Sequence, residues 1–105
     1  MATSREYLTF ILEQLSGLEE VSSRAMMSEY VLYYRGKVFG GLYDNRLLVK
    51  PVPAAVARVP QPVLEAPYPG AKDMLLIENV DDRAFLEALL PAMYEELPGR
   101  AGRAG

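Results

Sequence analysis

Residues 30–50 read Tyr30-Val31-Leu32-Tyr33-Tyr34-Arg35-Gly36-Lys37-Val38-Phe39-Gly40-Gly41-Leu42-Tyr43-Asp44-Asn45-Arg46-Leu47-Leu48-Val49-Lys50. Val, Leu, Tyr and Phe dominate, and Arg35-Gly36 and Asp44-Asn45 interrupt the run where two-residue hairpin turns would sit. Two such turns set the register by counting. Tyr34 pairs with Lys37, Leu32 with Phe39 and Tyr30 with Gly41. Across the second turn, Tyr43 pairs with Arg46, Gly41 with Leu48 and Phe39 with Lys50. Side chains alternate between the faces of a sheet, so each face can be written out. Val31, Tyr33, Val38, Gly40, Leu42, Leu47 and Val49 form an uncharged face, predicted to lie under the helices. Tyr30, Leu32, Tyr34, Lys37, Phe39, Gly41, Tyr43, Arg46, Leu48 and Lys50 form the other. That face mixes aromatic rings with three cations, too apolar for open solvent and too charged for a sealed core. It is predicted to be the interaction face, covered by a second copy, a partner protein or the proline-rich segment. An alternative is a platform for single-stranded nucleic acid, with rings stacked on bases and cations along phosphates.

Before this stretch, a long first strand is predicted from Val21 to Tyr34, bulged or bent near Met27-Ser28. Residues 4–16 carry Tyr7, Leu8, Ile11, Leu12 and Leu15 at helical spacing. Thr3 with Glu6 offers a capping box at the start, and Gly17 a left-handed stop at the end. After the stretch come Pro51, Pro53, Pro60, Pro62, Pro67 and Pro69, which exclude a central strand. Residues 54–59 allow a short helix, and 60–69 a rigid loop or irregular edge. Met74–Asn79 reads as a buried strand. Asp81 or Asp82 caps a last helix to about Leu97, with Phe85, Leu86, Leu89, Leu90, Met93 and Tyr94 inward and Pro91 kinking or splitting it. The expected fold is α+β: two layers, an antiparallel sheet, and the order α-β(3)-α-β(2)-α. Residues 1–98 form the single domain, and 99–105 a flexible Gly/Ala/Arg tail.

The chain has 105 residues, no Cys, His or Trp, and a net charge of −3. One ordinary core is expected at this size. No disulfide, thiol nucleophile, Ser-His-Asp triad or Cys/His zinc site can be built. Coating of duplex DNA by this domain alone is not expected, given the acidic balance. Residues 30–60 carry +4, whereas 1–29 and 61–105 carry −3 and −4. No apolar run reaches the length of a membrane span or a signal sequence, so a cytoplasmic location is expected.

Other candidates for chemistry have plainer explanations. Gly36-Lys37 lacks the rest of a phosphate loop and is followed by Val38. Gly40-Gly41 suits a bulge or a close fit beneath a helix. Glu19-Glu20, Asp81-Asp82 and Glu95-Glu96 are adjacent pairs, which point apart on a helix. Glu29, Asp44 and Glu78 are expected to be taken up in ion pairs with Arg24, Arg46 or Lys72. Met26 and Met27 suit core or interface filling. The expectation is a protein-interaction module, not an enzyme, with no cofactor and no metal.

The chain resembles the N-terminal domain of the TfoX/Sxy competence regulators. The resemblance rests on Arg24, Met26, Glu29, Tyr30, Leu32, Tyr33 or Tyr34, Gly36, Lys37, Val38, Phe39, Asp44, Asn45, Arg46, Leu47, Val49, Lys50 and Pro51, then on the Tyr68-Pro69-Gly70 turn and the last strand and helix. The family pattern reads Arg-x-Met-Phe-Gly, where this chain has Met27 and Ser28 in the last two places. The resemblance implies a secretion-chaperone-like two-layer fold. It also implies a regulatory role in DNA uptake, with transcription machinery or an activator protein as partner, and no catalytic residue. A homodimer is expected. A small-molecule-binding protein, with its pocket under the proline-rich segment, is the remaining alternative.

Overall fold

The computed structural model describes residues 2–98; the tail expected over 99–105 lies outside them. Its elements are α1 (Arg5–Gln14), β1 (Val21–Met26), β2 (Glu29–Tyr34), β3 (Lys37–Leu42), β4 (Leu47–Val49), α2 (Pro53–Arg58), β5 (Leu64–Glu65), β6 (Met74–Ile77) and α3 (Arg83–Tyr94). The strands form one antiparallel sheet in the order β1-β2-β3-β4-β6-β5. The α+β class is as expected. The strand count before α2 is four, not three, because the long first strand folds back on itself at Met27-Ser28. Both residues take positive φ, 50° and 73°. That is the signature of a type I′ turn, whose twist matches the flanking strands. The two turns read from the sequence share it, at Arg35-Gly36 (52° and 85°) and Asp44-Asn45 (55° and 56°).

All three helices pack on one face of the sheet. Ile11 and Leu15 from α1 and its end, Ala55 from α2, and Leu86, Leu89, Leu90 and Met93 from α3 join Leu32, Phe39, Leu42, Leu47, Val49, Leu75 and Ile77 in one buried cluster. Apolar burial on this scale is the main favourable term in folding. α2 starts on Pro53, whose fixed φ suits a first turn. α3 is capped by the Asp82 carboxylate, which accepts from the Phe85 N–H at 3.0 Å, and it runs through Pro91 unbroken. The prolines leave only a two-residue strand at the β5 edge.

Two capping expectations are corrected. Ser4, not Thr3, caps α1, its hydroxyl accepting from the Tyr7 N–H at 3.1 Å. Thr3 is 6% exposed, and its hydroxyl is engaged across the fold. Gly17 is not a left-handed stop. That conformation falls to Glu20, with φ 63°, after a further turn through Leu18.

The larger correction concerns the faces. Tyr34↔Lys37 and Tyr33↔Val38 pair as counted, but the register then shifts by one, giving Leu32↔Gly40, Val31↔Gly41 and Tyr30↔Leu42. Phe39 is the extra residue of a β-bulge. Across β3 and β4 the counted register holds, with Gly41↔Leu48 and the backbone of Lys50 donating to that of Phe39. One inserted residue therefore reverses β2 and the start of β3 relative to the rest. Leu32 and Phe39 are 0% exposed beneath the helices, while Val31, Tyr33 and Val38 turn outward.

Candidate functional site

The ten residues expected on one interaction face divide between two, Gly41 going with its partner Leu48 to the outer side. Tyr30, Leu32, Tyr34, Lys37 and Phe39 lie on the helix side; Tyr43, Arg46, Leu48 and Lys50 lie on the outer side. Tyr34 packs edge-on against Tyr94 of α3, with ring centroids 5.8 Å apart. Lys37 escapes the apolar interior by reaching the end of α3. Its Nζ donates to the Tyr94 carbonyl at 3.2 Å and sits 4.2 Å from that ring's centroid. A helix C-terminus and an aromatic face both attract a cation. Arg35 stands over the same ring at 5.2 Å. Rings and cations therefore do not form the continuous basic platform that a nucleic-acid surface would need.

Several motif positions meet at one corner instead. The Glu29 carboxylate accepts from the Thr3 hydroxyl at 2.7 Å and the Asp44 N–H at 3.2 Å. The Thr3 hydroxyl also accepts from the Asn45 N–H at 3.1 Å, and the Asn45 side-chain oxygen accepts from the Ser4 N–H at 3.0 Å. The start of α1, the β1–β2 turn and the β3–β4 turn are thereby tied together. Arg46 serves the other side of the corner. Its guanidinium pairs with Glu65 at 2.6 Å and donates to the carbonyls of Tyr43 (3.0 Å) and Pro67 (3.3 Å). The partner of Arg46 is thus Glu65, not one of the three acids proposed from the sequence.

This clamp folds the segment around Pro67 and Tyr68 over the outer face. The Tyr68 ring lies 6.2 Å from that of Tyr43. Tyr43 and Leu48 are buried here, apart from the helix-side cluster. Burial raises the Tyr43 phenol above its usual range, with the neighbouring Tyr68 and Glu29 adding to the effect. Beside it runs a groove of about 340 Å³, lined by Val38, Tyr43, Lys50, Tyr68, Lys72, Asp73 and Met74 among others.

Beyond the segment, no helix among the described residues covers the outer face. Val31, Tyr33 and Val38 are half-buried on it. Arg24 and Met26, both motif positions, lie on β1, the first strand of the sheet. Met26 is 42% and Met27 93% exposed, so neither fills a core; both are carried out by the turn. Glu65 is missed by the sequence reading, which takes Thr3 as a helix cap and Tyr68 as part of a turn and misses their roles here. Their partners are distant in sequence, and no local pattern announces those pairings. Among the described residues, no helix is long and apolar enough to cross a membrane.

Comparison with known proteins agrees with the family resemblance. The family model for the TfoX N-terminal domain matches residues 13–88. An uncharacterised 12.7 kDa protein in the trpE 5′ region of Spirochaeta aurantia is 39% identical over 84 residues, which cover 80% of this chain and 73% of that protein. No solved structure matches the chain.

Proposed function

This chain belongs to the TfoX N-terminal domain family, and on that premise we propose that it is a cytoplasmic regulatory domain of the competence type. It acts by contact with other proteins, among them a second copy of itself and transcription machinery or an activator, and it carries out no catalysis. The family match is the observation that carries this reading. The structure adds a surface suited to it: Val31, Tyr33 and Val38 on the outer sheet face, next to the groove beneath Tyr68. The polar groups on these elements are occupied in holding the fold, with Glu29, Lys37 and Arg46 each bound internally.

The test is deletion of the gene from its host, with transcripts of DNA-uptake genes measured. Expression should fall and return with the wild-type gene, but not with a Tyr33→Glu, Val38→Glu variant. Captured wild-type protein should retain RNA polymerase or an activator that this variant loses. Unchanged transcripts together with no such capture would overturn the competence reading.

A further inference from the structure

We propose that β1 is a self-pairing edge, by which two copies join their sheets antiparallel about a two-fold axis through Ser23. The proposal rests on the homodimer named above and gives it an interface.

The two edges of the sheet are built differently. The β5 edge is two residues long, between Pro62 and Pro67. Proline and brevity both prevent an edge from recruiting another strand. The β1 edge is six residues, Val21–Met26, with no proline and no shift in its register with β2. The two-residue turn at Met27-Ser28 makes Met26 and Glu29 a hydrogen-bonded pair. Bonding then alternates along the ladder, so Ser22, Arg24 and Met26 direct their backbone groups at β2. Val21, Ser23 and Ala25 direct theirs away from the sheet. Among the described residues, no backbone hydrogen bond outside the strand ladders involves those three. An unpaired run of this kind is a template for another strand.

The order of residues on β1 favours a second copy as the occupant. With Ser23 on the axis, Val21 faces Ala25 of the second copy, and Ser23 faces its equivalent. Each such pair exchanges both of its N–H···O bonds. Arg24, the one charge on β1, faces Ser22 of the second copy, so like charges are not placed directly opposite. Two residues along the seam from Arg24 stand Glu20 of the second copy in one direction, just outside β1, and its Arg24 in the other. At the centre of the seam Ser23 meets its equivalent and each Arg24 meets a Ser22, so no two bulky side chains face each other there. The pairing surface is the same on both copies, as a closed two-fold dimer requires.

Three variants of the full chain test this by sedimentation and by non-reducing electrophoresis. Ser23→Pro removes an N–H that β2 does not use, so the fold should persist by circular dichroism while the dimer is lost. The chain has no cysteine, so a single introduced thiol reports cleanly. Ser23→Cys should form a disulfide-linked dimer under mild oxidation, because facing residues in such a pair are about 5.5 Å apart at Cα, within disulfide range. Ser22→Cys, whose counterpart is two residues away along the seam, should not. A dimer that survives Ser23→Pro, or that cross-links at Ser22 as readily as at Ser23, overturns the edge assignment and leaves the homodimer standing. A wild-type chain that stays monomeric at high micromolar concentration overturns both.

Discussion

Gly40 shows how little room the bulge leaves. A Cβ built there would strike the Leu48 carbonyl oxygen and lie 2.8 Å from the Val49 Cα, both backbone atoms of β4. Neither can yield as a side-chain end can. Gly40→Ala should therefore cost about 2 kcal/mol in urea denaturation, as overpacking in tight cores does. Tyr43 supports a second prediction. Burial raises the phenols of Tyr43 and Tyr7 above their ordinary value of 10.0, so the fold favours the neutral form. As pH rises past about 10, the unfolded chain gives up protons that the folded chain keeps. Stability from this source is complete below that pH and is lost upward through the folded values. Tyr43→Phe should flatten the alkaline fall in denaturation midpoint between about pH 9.5 and 11. An unchanged slope would assign that fall to other groups.

Among the elements, two of the three hairpin turns were legible in the sequence and the division of the sheet into faces was not. Asp44, Asn45 and Gly36 are residue types that tolerate left-handed backbone, and both turns form where they stand, Arg35 being carried into the same conformation by its neighbour Gly36. Met27-Ser28 advertises nothing of the kind, so a hairpin there read as a bent strand. The bulge at Phe39 was foreshadowed by Gly40-Gly41, yet a glycine pair does not say whether it adds a residue to the ladder. A shift of one exchanges faces, and Phe39 alone turned an expected surface into core. The corner was hidden for another reason: Arg46 reaches Glu65 and Pro67, and Thr3 reaches Glu29 and Asn45, pairings that only the folded chain creates. Since Arg46 holds the Pro67–Tyr68 segment, Arg46→Ala should lower stability by about 1–2 kcal/mol, the scale of a few partly exposed charged hydrogen bonds. Limited proteolysis should then cut within residues 60–73, which the wild type should protect.

Across the whole molecule, the two layers make opposite demands on neighbouring residues. Phe39 is fully enclosed by the helix layer, and a charge there has no partner and no water. Phe39→Glu should abolish cooperative unfolding. Val38, one residue earlier, faces away from the helices. Val38→Glu should leave the denaturation midpoint nearly unchanged, while removing partner capture. Equal damage from both would mean that the outer face is as closed as the inner one. The pair thus separates loss of fold from loss of binding, which the undivided aromatic and basic face predicted from the sequence could not do.

The three left-handed turns also bear on how the chain finds its shape in time. Each joins neighbouring strands through two residues, so β1 to β4 can zip together from contacts close in sequence, at small loop-closure entropy. β6 is different: it pairs with β4 only after the chain has travelled from Val49 to Met74, and it brings β5 with it. Such order makes the meander an early nucleus and the β5–β6 arm a late arrival. Substitutions at Asp44-Asn45 should therefore slow refolding in stopped-flow experiments, whereas Leu75→Ala should chiefly quicken unfolding. A newly made chain would then hold its β4 flank open for a time, with Leu47 and Val49 waiting for the strand that seals them.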